Sequence, residues 1–541
     1  MLSSGSLSPG FTRRAFIHRL ARFGSAAVLG SLYGLDLLAR DPGSPGGFRL
    51  EGAAPAKRRR VIILGGGNAG LSAAFELKKI GYDVTVLEAR SRPGGRCWTV
   101  RPGTEETELG GERQLCRFAD RQYLNAGPMR ISHHHATTLD YCREFGIALT
   151  AFTNFNEAAF LLRKGQPRRR LREVEADVHG YTAELLAKVV NRGQLDAPLT
   201  KEDRERLIEY LRGEGRLDSN LAYIRSGDTS ESLSHMAHLR GYDVSPGADT
   251  GPGKPVDALD LETLIKAGYC TPNLLDQDLN QQSTMLTPIG GMDRIPRAFA
   301  ARLGNLVRYE TEVREIRRTS DGGVKIVSSN RADNSVISEE SADFCICAMP
   351  PHLLARLPND FAPGTLDALR SPIPDTAGKI GLQFRRRFWE EDDDIYGGRS
   401  LSDEPISQIY YPCEDYGTPG PAVLVGSYHF RDQRTVFDRP HADRERLALE
   451  QGGHLHPQYK TEFETSFSVE WHRIRYNEMS WMSWKDNEGF NRNVAKLAAG
   501  DPPFFFAGDW LSHLTGWQAG AFVTSHQAVR AIHSRALAVA S

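Results

Sequence analysis

The chain is poor in cysteine. It has seven in 541 residues, an odd number, which excludes a disulfide-stapled scaffold. It has no excess of one charge. The 67 Lys and Arg against 68 Asp and Glu leave −1, which excludes a general nucleic-acid binder with its basic surface. It has no uncharged apolar run of about 18 residues, which excludes a polytopic membrane protein. G-x-S-x-G elbows and paired zinc-ligand spacings are missing, so neither that serine chemistry nor a structural metal is expected. What is present is a globular composition long enough for roughly two to four domains.

The first residues read as an address. Arg13-Arg14 lie within Thr12–His18, and a Gly- and Ala-rich, modestly apolar stretch follows. This resembles a bacterial twin-arginine export signal. It is assigned to 1–40, and a Pro/Gly/Ala-rich linker to 41–57. Export to the periplasm or beyond is expected, with no stable membrane insertion afterwards.

A nucleotide-binding pattern opens the folded part. Arg60–Leu64 reads as a buried strand, and Gly65-Gly66-Gly67-Asn68-Ala69-Gly70 follows at once. Leu71–Ile80 has helical periodicity, and Asp83–Leu87 is a second strand closed by Glu88. Gly65 allows a tight turn, Gly67 lets backbone approach a pyrophosphate, and Gly70 lets the helix pack on the strand. The helix N-terminus adds free N–H groups and a positive dipole end. Glu88 can accept from ribose hydroxyls.

The following motifs resemble those of the flavin amine oxidase family, and most of all its L-amino acid oxidase branch. Glu88-Ala89-Arg90-Ser91-Arg92-Pro93-Gly94-Gly95-Arg96 is similar to the extension that wraps FAD there. Phe504–Asp509 resembles the family's C-terminal FAD motif, with Gly508 and Asp509 at the ribityl–phosphate part. Thr515–Ala521 opens a last helix, whose Trp517, Gln518 and Ala519 the resemblance places at the flavin. It also places a residue near Val313 against adenine. No cysteine neighbours the Trp517 turn in sequence, so the FAD is expected to be non-covalent.

Gly127-Pro128-Met129-Arg130 is similar to the tetrapeptide whose arginine pairs with the substrate carboxylate in L-amino acid oxidases. The planar fork of arginine suits a carboxylate. The resemblance gives Lys379 a water held against the flavin, Tyr428 a hydrogen bond to the carboxylate, and Trp517 a wall beside the substrate. Trp471 and Trp484 are further candidate walls. His133-His134-His135 cannot all face one ion on a regular element. The acidic run Glu390–Asp394 and the basic run Arg168-Arg169-Arg170 read as solvated.

The expected fold is α/β: a discontinuous FAD-binding Rossmann-like domain (58–112, 286–372 and 490–541), a mixed-sheet substrate domain (113–170 and 373–489) and a helical insertion (171–285). The expected activity is oxidative deamination of an L-amino acid by FAD and O2, giving the 2-oxo acid, ammonia and hydrogen peroxide. An amide-forming amino-acid 2-monooxygenase shares the same arginine. A polyamine or monoamine oxidase has no need of it. Related oxidases are often dimers, so a second copy of the chain is the candidate partner.

Overall fold

Every strand pair in the sheet that carries the glycine turn is parallel. Its spatial order is Val307–Arg308, Asp83–Leu87, Arg60–Leu64, Phe344–Cys347, Phe504–Phe506. The computed structural model describes residues 47–50, 57–195, 199–225, 240–247, 251, 253–270, 278–334 and 337–538. The export signal expected at 1–40, and most of the linker, lie outside these.

The first strand sits mid-sheet for a simple reason. Val61, Ile62, Ile63 and Leu64 are all fully buried, and their side chains alternate between two faces. Val61 and Ile63 pack with Leu71 and Leu77 of the Asn68–Lys79 helix and with Phe522 and Val529 of the Gln518–Ala538 helix. Ile62 and Leu64 pack with Leu354, Phe504 and Trp510 on the other face. Both faces are covered, so the strand reads as continuously apolar. The second strand in the chain lies to one side of it and the fourth to the other. Its carboxyl end is therefore the topological switch point where such sheets bind ligands.

A three-stranded antiparallel meander, Thr311–Arg318, Val324–Asn330 and Ile337–Ala342, hangs from this sheet. Cys345 and Cys347 are buried in the fourth strand as small core residues.

The second large sheet has seven strands and is mixed. Its Ala377–Phe384 strand is buried at every position. Ala422–Phe430 and Phe463–Glu470 flank it, both antiparallel. This register sets Lys379 opposite Tyr428 on one side and Val469 on the other.

Three sequence expectations are corrected here. The 171–285 stretch contains helices Leu171–Asn191, Lys201–Gly215 and Leu261–Lys266, but also a strand pair, Tyr242–Val244 with Lys254–Pro255. The acidic run is solvated only in part: Glu391, Asp392 and Asp394 are exposed. Glu390 and Asp393 are buried, and Asp393 meets His456 at 2.9 Å and Arg168 at 3.2 Å. The arginine run is not a solvated face. Arg168 and Arg170 lie over the Phe160 ring, and Arg170 donates to the Asp393 carbonyl at 2.7 Å. Arg168 and Asp393 thus join the two runs, while Arg169 pairs with Glu173 and Glu390 with Arg387, which spares the buried charges the cost of burial alone.

Candidate active site

A cavity of about 660 Å³ opens where the parallel strands end. Gly65, Leu87, Ala348 and Gly508, each just beyond or at the end of a different strand, contribute to its wall.

The dinucleotide turn makes one end. Gly65, Gly67, Asn68 and Ala69 line it, followed by Glu88, Ala89, Arg90, Gly95 and Arg96, with Val313 from the meander. The helix starts at Gly67 without a capping side chain, so its first N–H groups and positive end face the cavity. A Cβ at Gly67 would meet nothing within 4 Å; the backbone is bare toward the space. Gly70 is a correction, because it does not line the cavity. A Cβ there would lie 2.0 Å from the Gly65 carbonyl oxygen, so its role is close packing of turn on helix. The Glu88 carboxylate accepts from the N–H groups of Gly66 at 2.6 Å and Arg90 at 2.8 Å. Each oxygen keeps a lone pair for a further donor.

The two cofactor motifs meet although 413 residues separate them. Arg96 Nη1 donates to Asp509 at 3.2 Å, and Asp509 also accepts from the Gly516 N–H at 2.8 Å. Gly508, Asp509, Trp517 and Gln518 line the cavity. Ala519 does not. It packs with Leu514 and Trp517 behind the wall, because the turn presents Gln518 instead.

Arg130, Lys379, Tyr428 and Trp517 come together with Met129 at the other end. Lys379 is 3% exposed. Burial and then the charge of Arg130 hold its ammonium well below its ordinary pKa. Its Nζ stands 4.7 Å from the centre of the Tyr428 ring and donates to the Asn125 carbonyl at 3.1 Å and to the Gly127 carbonyl. Burial pushes the Tyr428 phenol up to about 12, so it stays protonated and able to donate. The Arg130 guanidinium lies 5.5 Å from the Tyr410 ring and 6.0 Å from Trp517. Among the described residues its hydrogen-bond partner is Gln281, an amide and not a carboxylate, at 2.9 Å. Its Nε is buried, with no hydrogen-bond partner among the described residues.

Among the described residues no cluster of ligating side chains could hold a metal ion. His134 and His135 both face Asn280 Oδ1, and the His135 ring meets Trp517 edge-on at 4.8 Å. Of the two proposed tryptophan walls, Trp471 lines the cavity and donates to the Ala126 carbonyl at 3.0 Å. Trp484 does not; it packs on Phe490 and donates to the Trp510 carbonyl.

The sequence reading missed Gln281, Trp481 and Cys97, which also line the cavity. Gln281 lies near the end of the 171–285 insertion, where no motif marks it. Trp481 belongs to 475–481, a stretch without helical or strand periodicity. Cys97 stands far from Trp517 in sequence, yet Gln518 Nε2 lies 3.0 Å from its sulfur.

A family model described as flavin containing amine oxidoreductase matches residues 68–533. Among curated proteins, the chain is 26% identical over 472 residues to L-amino acid oxidase Bs29 of Bothriechis schlegelii, covering 86% of this chain and 88% of the relative. It is 27% identical over 470 residues to an L-amino-acid oxidase of Protobothrops flavoviridis, covering 85% and 86%. Among solved structures, a putrescine oxidase bound to putrescine matches with a TM-score of 0.58 at 19% identity, covering 88% of this chain and all of that one. That likeness shows a shared fold. The match over 68–533, together with the cavity at the glycine turn, places the chain in the flavin-containing amine oxidoreductase family.

Proposed function

We propose that the protein is an FAD-dependent L-amino acid oxidase. One observation carries the reading: the Arg130 guanidinium lines the substrate end of the cavity and, among the described residues, its hydrogen-bond partner is an amide, Gln281, and not a carboxylate. A cation that no acid neutralises is open to an anion, and a carboxylate paired with two N–H groups of the fork matches it in charge and shape. The relatives named as oxidases of L-amino acids support the same substrate and favour neither an amide-forming monooxygenase nor a polyamine oxidase.

The residues present fit FAD. Bare backbone at Gly67, the open helix end, Glu88 for ribose hydroxyls, Arg96 near the phosphates and Val313 near adenine supply the donors and contacts that a dinucleotide needs. When bound, FAD supplies a two-electron acceptor for the α-hydrogen and a route for those electrons to O2, which leaves as hydrogen peroxide.

The chain's own groups do the rest. Arg130 holds the carboxylate, with the protonated Tyr428 phenol as a second donor. This fixes the α-carbon and converts binding energy into orientation. The positive charge of Arg130 also disfavours a second cation, so the substrate amine is driven to its neutral, reactive form. Lys379, held toward its neutral form, can orient water and take up a proton at Nζ.

Non-covalent attachment is part of the proposal. Cys97 comes close to the Trp517 turn in space, but its thiol donates to the Met292 carbonyl at 3.3 Å and burial keeps it protonated. No thiolate is offered to the flavin. Export by the twin-arginine leader is also proposed. It accords with a cofactor loaded before translocation and with the cysteines, which are all unpaired.

The test is the visible spectrum of the anaerobic protein before and after addition of pooled L-amino acids. Bleaching of the flavin band supports the reading. An oxidised band that no L-amino acid bleaches rejects it.

A further inference from the structure

We infer that Met129 is a site of self-oxidation, where peroxide formed in the cavity converts the thioether to a sulfoxide and thereby weakens the carboxylate site. The inference rests on the oxidase reading above. One apolar cluster behind the substrate end holds Met129, Met285 and Cys413 with Phe152 and Tyr410. Tyr428 and Trp517 pack against it. Of its three sulfur side chains, Met129 is the one that lines the cavity, and it immediately precedes Arg130. Met285 is 1% exposed and lies behind the wall.

Cys97 is one competing sulfur on the cavity wall. Peroxide attacks thiolates, and a buried thiol that donates to a carbonyl offers none. A thioether has no proton to lose, so burial gives it no such protection. Met349 and Met479 also line the cavity, but at the dinucleotide end. Met349 lies against the Gly65 turn, and Met479 packs into the cluster on the far face of the parallel sheet.

In the step itself a sulfur lone pair takes the nearer oxygen of hydrogen peroxide. The S–O bond forms and the O–O bond breaks. Sulfur is oxidised by two electrons, and the peroxide is reduced to water as its proton moves to the departing oxygen. The new oxygen is a strong acceptor in the cluster of Tyr410 and Trp517, the two rings that the Arg130 guanidinium also faces. It competes with the substrate carboxylate and brings a polar group into an apolar cluster.

The experiment turns over the holoenzyme on pooled L-amino acids, with and without catalase, and follows the gain of one oxygen at each methionine by peptide mass. Peroxide is measured in parallel. Met129 is expected to gain oxygen ahead of Met349 and Met479. Catalase, which clears bulk peroxide, leaves that gain largely in place. KM rises in step with it, and Met129→Leu keeps a larger share of its own starting rate over the same number of turnovers. Peroxide without modification of Met129, or with Met129 no earlier than Met349 and Met479, overturns this inference and leaves the oxidase reading standing. No peroxide from the pool overturns both.

Discussion

Lys379 Nζ donates to the carbonyl oxygens of Asn125 and Gly127, so the lysine clips the loop that ends in Arg130. It reaches the loop from the buried strand opposite Tyr428. Trp471 holds the preceding carbonyl, that of Ala126. The same side chain thus stands at the reacting end of the cavity and fixes the residue proposed to bind substrate. Lys379→Met removes both donors and leaves two carbonyls short of a partner, at about 1–3 kcal/mol each. The expected outcome is slower flavin reoxidation together with a raised apparent Kd for the amino acid. Stopped-flow measurement of the two half-reactions separates them. A variant that reduces slowly but reoxidises normally rejects the assignment.

Arg130 itself is expected to matter through its fork. Arg130→Ala removes the carboxylate's partner and is expected to cost at least about 2 kcal/mol in kcat/KM. Arg130→Lys keeps the charge but not the bidentate geometry, and should recover only part of the loss. Unchanged kcat/KM in the alanine variant defeats the carboxylate assignment.

Acid precipitation tests the attachment of the cofactor. The Cys97 thiol lies 3.0 Å from Gln518 Nε2 on the cavity wall, and it is kept protonated by burial and engaged with the Met292 carbonyl. Yellow colour is expected in the supernatant. Flavin retained in the denatured pellet contradicts non-covalent binding, and Cys97→Ser then tells whether that sulfur holds it.

Legibility in the sequence followed how local each signal is. The glycine turn needs only neighbouring residues, so strand, turn, helix and Glu88 were all readable from 60 to 88. Arg130, Lys379 and Trp517 stood in compact motifs and meet in space as the resemblance implied. Gln281 reaches Arg130 across 151 positions, and Cys97 reaches Gln518 across 421. No periodicity encodes such meetings, because tertiary packing makes them. The charged runs misled for the same reason. Charge predicts exposure only when no partner is buried with it, and Asp393 finds Arg168 and His456 from distant parts of the chain.

Gly127→Ala probes the loop that Lys379 holds. A Cβ at Gly127 would fall 1.9 Å from the Arg96 carbonyl oxygen and 3.5 Å from the Trp471 ring. Backbone must move, and overpacking of this kind costs about 1–3 kcal/mol. Both neighbours bear on the cavity, since Arg96 pairs with Asp509 and Trp471 holds Ala126. The variant should therefore purify with less flavin and a lower melting temperature than the wild type. Full flavin content with unaltered melting shows that the loop has room, which contradicts the packing described.

The histidine on the last helix should set part of the acid sensitivity. His526 lies between Tyr141, whose hydroxyl is 2.7 Å from its Nε2, and the Phe48 ring, stacked at 4.0 Å. Burial, and then the charges of Arg530 and Lys79, hold its pKa down at about 3 against an ordinary 6.5. The unfolded chain therefore binds a proton below 6.5 that the folded chain refuses until about 3. Stability falls across that window as pH drops, by up to about 1.4 kcal/mol per unit. Glu76, which accepts from the same tyrosine, runs the other way. Burial raises its pKa above 4.5, so taking up its proton on acidification favours the folded state. His526→Phe removes the first effect and keeps an aromatic partner for Phe48. Urea unfolding of holoenzyme between pH 7 and 4 (roughly the span where only the unfolded histidine titrates) should show a slope for the variant shallower by about one proton. Parallel slopes in variant and wild type mean that His526 titrates alike in both states, and that its buried, neutral placement between Tyr141 and Phe48 is wrong.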